Sequence, residues 1–309
     1  MPLRSIQALC LLSFFMADVR DGLGPFLGIF LIHYHWSAEA IGYAMTAGGI
    51  AGLLATLPSG IVVDASARKR AIIAVAALLI MAGTLLLWFF PGSLMVYASQ
   101  VATGISAAFI GPAMAGLTLG LVGQKRFAHQ LGRNEAYNHG GNMLSALLAG
   151  IASWYWGIGA VFLLMLVMAF GALMAVLAIR EKDIDHRVAR GLNPEEALGE
   201  IPSLFTLLKI PALTITGLTL MLFHLSNAAQ LPMLSMQVAS GHNATLFNPG
   251  AYAAMTVVIA QGVMIPVALM VSRYAQRYGY EKLILIALII LPVRAMTAAL
   301  WPLSLIHIS

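Results

Sequence analysis

Nine apolar runs follow one another along the chain with short polar breaks between them, each long enough to cross a hydrocarbon layer about 30 Å thick as a helix. They lie near 6–32, 38–63, 70–90, 93–122, 135–155 and 159–179, and then, after a polar stretch from Arg180 to about Ser203, near 205–234, 250–272 and 282–302. Hydrocarbon offers no water to backbone amides and carbonyls, so runs of this kind must close their hydrogen bonds internally as helices. With 9% of residues charged and a mean hydropathy of +0.88, the chain lacks the polar skin of a water-soluble domain. A soluble enzyme is excluded, and an all-α integral membrane protein is expected.

Lys and Arg set the expected orientation. They fall at Arg4, at Arg68 to Arg70, at Lys125, Arg126 and Arg133, at Arg180, Lys182, Arg187 and Arg190, at Lys209, and at Arg273, Arg277 and Lys282, always in alternate connections. The intervening connections, such as His33 to Ser37 and Met236 to Pro249, carry none. The positive-inside rule therefore puts the N-terminus and the Arg180 linker in the cytoplasm, and Trp36, Trp88, Trp154, Trp156 and Trp301 lie at outer span ends as interfacial aromatics. The net charge of +5 follows from this pattern, so it calls for no nucleic-acid partner; the bilayer is the expected partner. The first run imitates a signal peptide, but no small-residue cleavage site follows it and it has full span length, so it is expected to remain as a span. Cys10 lies within it and is expected to pack as a small apolar side chain.

The break between the second and third runs reads Gly60-Ile-Val-Val-Asp64-Ala-Ser-Ala-Arg68-Lys69-Arg70. This resembles the cytoplasmic loop signature of the major facilitator superfamily, with Gly60, Asp64, Arg68 and Lys69 at matching positions, Ala65 in place of the usual basic residue and Ala67 in place of the usual Gly. A weaker copy follows the eighth run, with Ser272 for the Gly and Gln276 for the Asp. The seventh run also echoes the first: Phe15 to Asp18 with Pro25 is similar to Phe223 to Asn227 with Pro232. The resemblance implies a six-helix N-terminal bundle over 1–180, a cytoplasmic linker over 181–204, and the first three helices of a C-terminal bundle over 205–302. Three further helices would be expected on that template, and 303–309 resembles a translated sequencing-library end, which suggests a truncated gene with a non-native tail. In the loop, Gly60 would let two helices approach closely and Asp64 would meet helix amides or a basic group of the other half, latching one of two conformations; an ordinary basic loop is the alternative.

Polar groups inside apolar runs mark pathways or hold helices together. Asp18 lies twelve residues beyond Ile6, about 18 Å along a helix and close to the bilayer centre. Asp18 and Asp21 share a face, Arg20 points away from them, and Gly22, Gly24 and Pro25 predict a bend or an unwound turn. Asp18 or Asp21 is expected to take the coupling proton or a cationic substrate, against the alternative of a fixed ion pair. Gln100 stands where proton-driven members of the family carry an Arg, which weakens proton coupling and leaves a hydrogen bond to solute or a helix bridge. Glu135, Asn138 and Asn142 form a stripe, a gate or cavity wall on one reading and a helix cap with helix-pairing amides on the other. His224, Asn227 and Gln230 are spaced to face a cavity shared with the first span, and Gln261 and Arg294 are further cavity candidates.

No Cys, His or carboxylate spacing suits a metal, no cofactor motif appears, and no Gly loop ending in Lys-Ser or Lys-Thr cradles a phosphate, so direct ATP driving is not expected. No nucleophile and base pair suggests an enzyme. The expected function is a secondary active transporter in the bacterial inner membrane, moving a small solute by alternating access with protons as candidate coupling ion. A facilitator needing no gradient, and a non-transporting receptor or scaffold of the same fold, are the alternatives. Small-residue ridges at Ala44, Gly48 and Gly52, and at Gly116 and Gly120, are assigned to backbone packing.

Overall fold

The computed structural model describes residues 3–21, 23, 25–191, 209–228 and 249–300. Among them the regular structure is helical, in ten α-helices: α1 Leu3–Asp21, α2 Pro25–His33, α3 Ala38–Ala65, α4 Lys69–Phe89, α5 Ser93–Val122, α6 Gln124–Trp156, α7 Gly159–Ala178, α8 Pro211–Ala228, α9 Pro249–Tyr278 and α10 Tyr280–Leu300. Two short 3-10 turns, Glu181–Asp183 and Val188–Arg190, follow α7.

Five stretches of these helices are long and apolar enough to cross a membrane: Glu39–Ala65, Lys69–Phe89, Ser93–Val122, Gly159–Ala178 and Val258–Tyr278. The first expected run is divided between α1 and α2, with α1 stopping at Asp21 and α2 starting at Pro25, a proline at its first position where a missing amide hydrogen costs nothing. In α6, polar residues dilute the hydropathy. This helix begins at Gln124, well before the expected 135: Gln124, Lys125 and Arg126 are exposed on its first turn, while Gln130, Gly132 and Asn134 in the turns that follow lie inside. Only Gly123 separates α5 from α6, at φ 71°, a conformation open to glycine at little cost.

The chain divides into two compact units, Met1–Pro194 with Gln261–Met270, and Glu195–Ala260 with Val271–Ser309. In the first unit α1 packs on α6 and α7, α3 on α5, and α4 on α5 and α7. The inward faces follow helical spacing: Ile73, Ala76, Ala77, Ile80 and Leu87 of α4 meet Val161, Phe162, Met165, Met168 and Ala169 of α7 in one core. The outward faces are equally apolar, with Leu53, Leu54, Leu57 and Ile61 of α3 and Leu163, Val167, Phe170 and Met174 of α7 exposed. Such an exterior suits lipid as solvent.

Apolar surfaces gain little by leaving hydrocarbon for one another, so close backbone approach holds these helices together. At the α3–α5 crossing, a Cβ on Gly48 would stand 2.8 Å from the Gln100 carbonyl oxygen, and one on Gly104 would overlap the Gly48 carbonyl. A Cβ on Gly141 of α6 would likewise overlap the Phe14 carbonyl of α1. In the second unit the described side chains of α8 and α10 are mostly exposed and apolar, among them Ile215, Leu218, Met221, Leu285, Ile289 and Val293.

Candidate functional site

Within the first unit, α1, α5 and α6 enclose a cavity of about 90 Å³. Ser13 and Arg20 of α1, Thr118 of α5, and Asn134, Glu135 and Asn138 of α6 supply its polar wall, with Met16, Ile110 and Met114 as the apolar remainder. Arg20 and Glu135 line it and are both exposed, and no ion pair joins them among the described residues. Asn138 Nδ2 approaches Glu135 Oε2 at 3.4 Å, as their spacing of one helical turn allows. An acid, a base and carboxamides on one small cavity can hold a polar solute in a fixed orientation.

Thr118 and Asn134 of the cavity wall belong to a chain of buried polar groups. Gln130 Nε2 donates to Asn134 Oδ1 at 2.8 Å and lies 3.3 Å from Cys10 Sγ; Asn134 Nδ2 donates to Thr118 Oγ1 at 2.9 Å; Thr118 donates to the Met114 carbonyl at 2.7 Å. Each bond polarises the next, and each group would be costly to bury alone. Cys10 therefore faces a donor in addition to filling space. Asn134, Gln130, Thr118 and Ser13 were not singled out from the sequence. The signal that could have found them is the four-residue spacing of Gln130, Asn134 and Asn138 on one helix face.

The other expected pathway residues are dispersed. Asp18 is half-buried on α1, and Asp21 is the last residue of that helix, its side chain outside the described set. Gln100 sits at the α3–α5 crossing, where its carbonyl and Cβ press on Gly48, and it does not line the cavity. Asn142 is half-buried on α6, its carbonyl accepting from Ser145 at 3.3 Å. Gln261 lies in the part of α9 that belongs to the first unit, and its Oε1 is 2.6 Å from Nδ1 of His139 on α6. Beside this pair, a Cβ on Gly132 would come within 2.6 Å of the Ala268 carbonyl, so α6 and this stretch of α9 touch backbone to backbone. His224 is exposed on α8 with its ring edge-on to Phe223 at 5.8 Å. Asn227 is the last residue but one of the same helix, with its side chain outside the described set, Gln230 lies outside the described residues, and Arg294 is exposed on α10.

The loop motif is built around Lys69, which is 3% exposed and donates to the Val63 carbonyl at 2.9 Å and the Ser66 carbonyl at 3.0 Å. It thereby caps the last turn of α3, where carbonyls lack helical partners. The Asp64 carbonyl accepts from Arg190 Nε at 3.1 Å, so the described partner of this residue's backbone is the linker. Arg68 is exposed. Among the described residues nothing lies within 4 Å of a Cβ placed on Gly60.

The described part of the linker, up to residue 191, expected only as a polar connection, is docked. Ser5 Oγ donates to Asp183 Oδ2 at 2.6 Å and accepts from the Arg180 amide at 3.2 Å; the Asp185 amide donates to the Gly120 carbonyl at 3.0 Å. Ala189 is buried against Gly116 and Gly120, whose ridge thus serves the linker and the Lys69 side chain rather than another helix. Arg70 bonds Glu181 at 2.6 Å and the Val176 and Leu177 carbonyls at 3.2 Å each, closing the end of α7.

The model of the Major Facilitator Superfamily matches residues 9–308. The chain is also 39% identical over 298 residues to uncharacterized MFS-type transporters of Mycobacterium tuberculosis strains CDC 1551 / Oshkosh and ATCC 25618 / H37Rv, an overlap covering 95% of this chain and 70% of each relative.

Proposed function

The chain belongs to the major facilitator superfamily and is a membrane transporter, and from that premise we propose that it is a secondary active transporter of a small polar solute, working by alternating access in a bacterial plasma membrane. The observation that carries this reading is the cavity between α1, α5 and α6, where Arg20 and Glu135 stand without an ion pair between them among the described residues. An arginine at such depth is costly, and a site that keeps it available has a use for it. Ser13, Asn134 and Asn138 supply the directional bonds that orient a bound solute.

In this reading Asp18 or Asp21 takes up the coupling proton, since a carboxyl in low dielectric changes protonation readily when a neighbouring charge arrives. Asn142, Gln100 and Gln261, together with His224, Asn227, Gln230 and Arg294, belong to the wider pathway, and Gly60, Asp64, Arg68 and Lys69 form a gating loop on the cytoplasmic side. The N-terminus and linker are cytoplasmic, residues 1–180 form one bundle, and 205–302 belong to the other. No cofactor, metal or nucleic acid enters the cycle, and no catalytic step is assigned.

The test uses the full chain in sealed vesicles loaded with a pH-sensitive dye, challenged with a panel of small polar solutes. Solute-dependent proton movement is expected, falling about tenfold or more in Arg20→Gln and in Glu135→Gln, the size expected for one charged hydrogen bond. Asp18→Asn and Asp21→Asn should uncouple proton from solute movement. Downhill solute flux without proton movement would make the protein a facilitator, and absence of any flux across the panel would favour a receptor or scaffold.

A further inference from the structure

A groove of about 350 Å³ runs between α4 and α7 at the end where the linker docks, away from the cavity of α1, α5 and α6. Its walls are of two kinds. Ala71 and Ala74 of α4 and Val176 and Leu177 of α7 form an apolar floor, while Arg68, Arg70 and Glu181 stand over it. The floor continues along the outer faces of both helices through exposed Val75 and Leu78 on one side and Met174 on the other, at the three and four spacing that keeps residues on one helix face. A track of this kind leads from a charged rim to the surface that faces acyl chains.

The rim carries surplus positive charge. Arg70 is committed, with one nitrogen on Glu181 and two on the carbonyls that end α7, and Glu181 is held a second time by His186 Nε2 at 3.0 Å. Arg68 has no side-chain partner among the described residues, and as the N-cap of α4 its side chain makes no capping bond. Exposed Lys182 and Arg180 follow in the linker. A guanidinium above an apolar channel at a bilayer surface matches a phosphate with acyl chains attached.

We propose that the α4–α7 groove binds an anionic phospholipid, with its phosphate on Arg68 and one acyl chain along Ala71, Ala74 and Leu177. The lipid fastens α4 to α7 and to the linker turn carrying Glu181. It occupies a different surface from the transport cavity, so the site does not depend on which solute is moved.

The test is native mass spectrometry of the purified full chain incubated with dioleoyl-phosphatidylglycerol or with dioleoyl-phosphatidylcholine. The chain is expected to retain phosphatidylglycerol preferentially, and Arg68→Gln to reduce that retention about tenfold with phosphatidylcholine retention unchanged. Ala71→Phe, a change at an exposed position that fills the floor, should reduce retention of both lipids while the melting temperature in detergent stays within a few degrees. Lys125→Gln, an exposed basic change on α6 outside the groove, should leave phosphatidylglycerol retention intact. Equal losses in Arg68→Gln and Lys125→Gln would reduce the effect to general surface charge and overturn the proposal. So would full retention in Ala71→Phe, or displacement of the lipid by inorganic phosphate alone.

Discussion

Asn134 is 4% exposed, and a carboxamide so deep in a membrane protein is held by its partners. Its neighbours Gln130 and Thr118 are bonded through it, so Asn134→Leu removes a bond on each side while roughly keeping the volume. Thermal or denaturant unfolding in detergent should register a loss of about 1–3 kcal/mol, nearer the lower figure because polar groups in a membrane's unfolded state also find partners. Gly141→Val should be far more severe. The Phe14 carbonyl already occupies the place of its first side-chain carbon, so α1 and α6 would have to part, and monodisperse protein should be lost on gel filtration. The sequence announced Arg20, Glu135 and Asn138 because charge and amides in apolar runs are conspicuous. It did not announce Asn134 or Gln130, whose burial depends on meeting Thr118 and Cys10 from two other helices, a coincidence no single run contains.

At the level of helices, the start of α6 shows where hydropathy misleads. Lys125, Arg126 and Arg133 were assigned to a connection, yet they ride on the first turns of a continuous helix whose other side is packed. The divided first span, by contrast, was readable from Pro25 and its neighbouring glycines. The linker is the element that composition concealed most completely. Arg187 and Arg190 suggest a solvated segment, but Ala189 between them fits the Gly116–Gly120 ridge, and the side chain of Asp185 holds the amides of Arg187 and Val188 at 3.0 and 3.1 Å. Gly120→Leu would expel Ala189, and trypsin should then cut at Arg187 or Arg190 several-fold faster than in the parent protein, since cleavage follows the population of the undocked segment. The Arg70–Glu181 pair is worth less than its 2.6 Å separation suggests. Glu181 is more than half exposed, so a double-mutant cycle with Arg70→Gln and Glu181→Gln should give a coupling below about 1 kcal/mol.

For the whole chain, the all-α membrane fold and the family followed from the succession of apolar runs and the Gly60 to Lys69 motif, both of which are local in sequence. The cavity was less readable, because it is made where three helices meet and the offsets between them are set by glycine contacts such as Gly141 on Phe14. Orientation is open to a direct test. In a Cys10→Ser background, single cysteines at Arg68 and Arg187 should react with an impermeant maleimide only when the cytoplasmic face is open, and one at Ser37 only from the opposite face. Labelling of Arg68→Cys and Arg187→Cys from contrary faces would overturn the assigned topology.

The single residue between α5 and α6 has a mechanical consequence. Gly123 gives the two helices no slack at that end, so they form a pair of dividers on one pivot, able to splay at the far tips but unable to slide past one another. Thr118 lies five residues before this pivot and Asn134 eleven after it, so the hydrogen bond between them ties one arm to the other and resists their splaying.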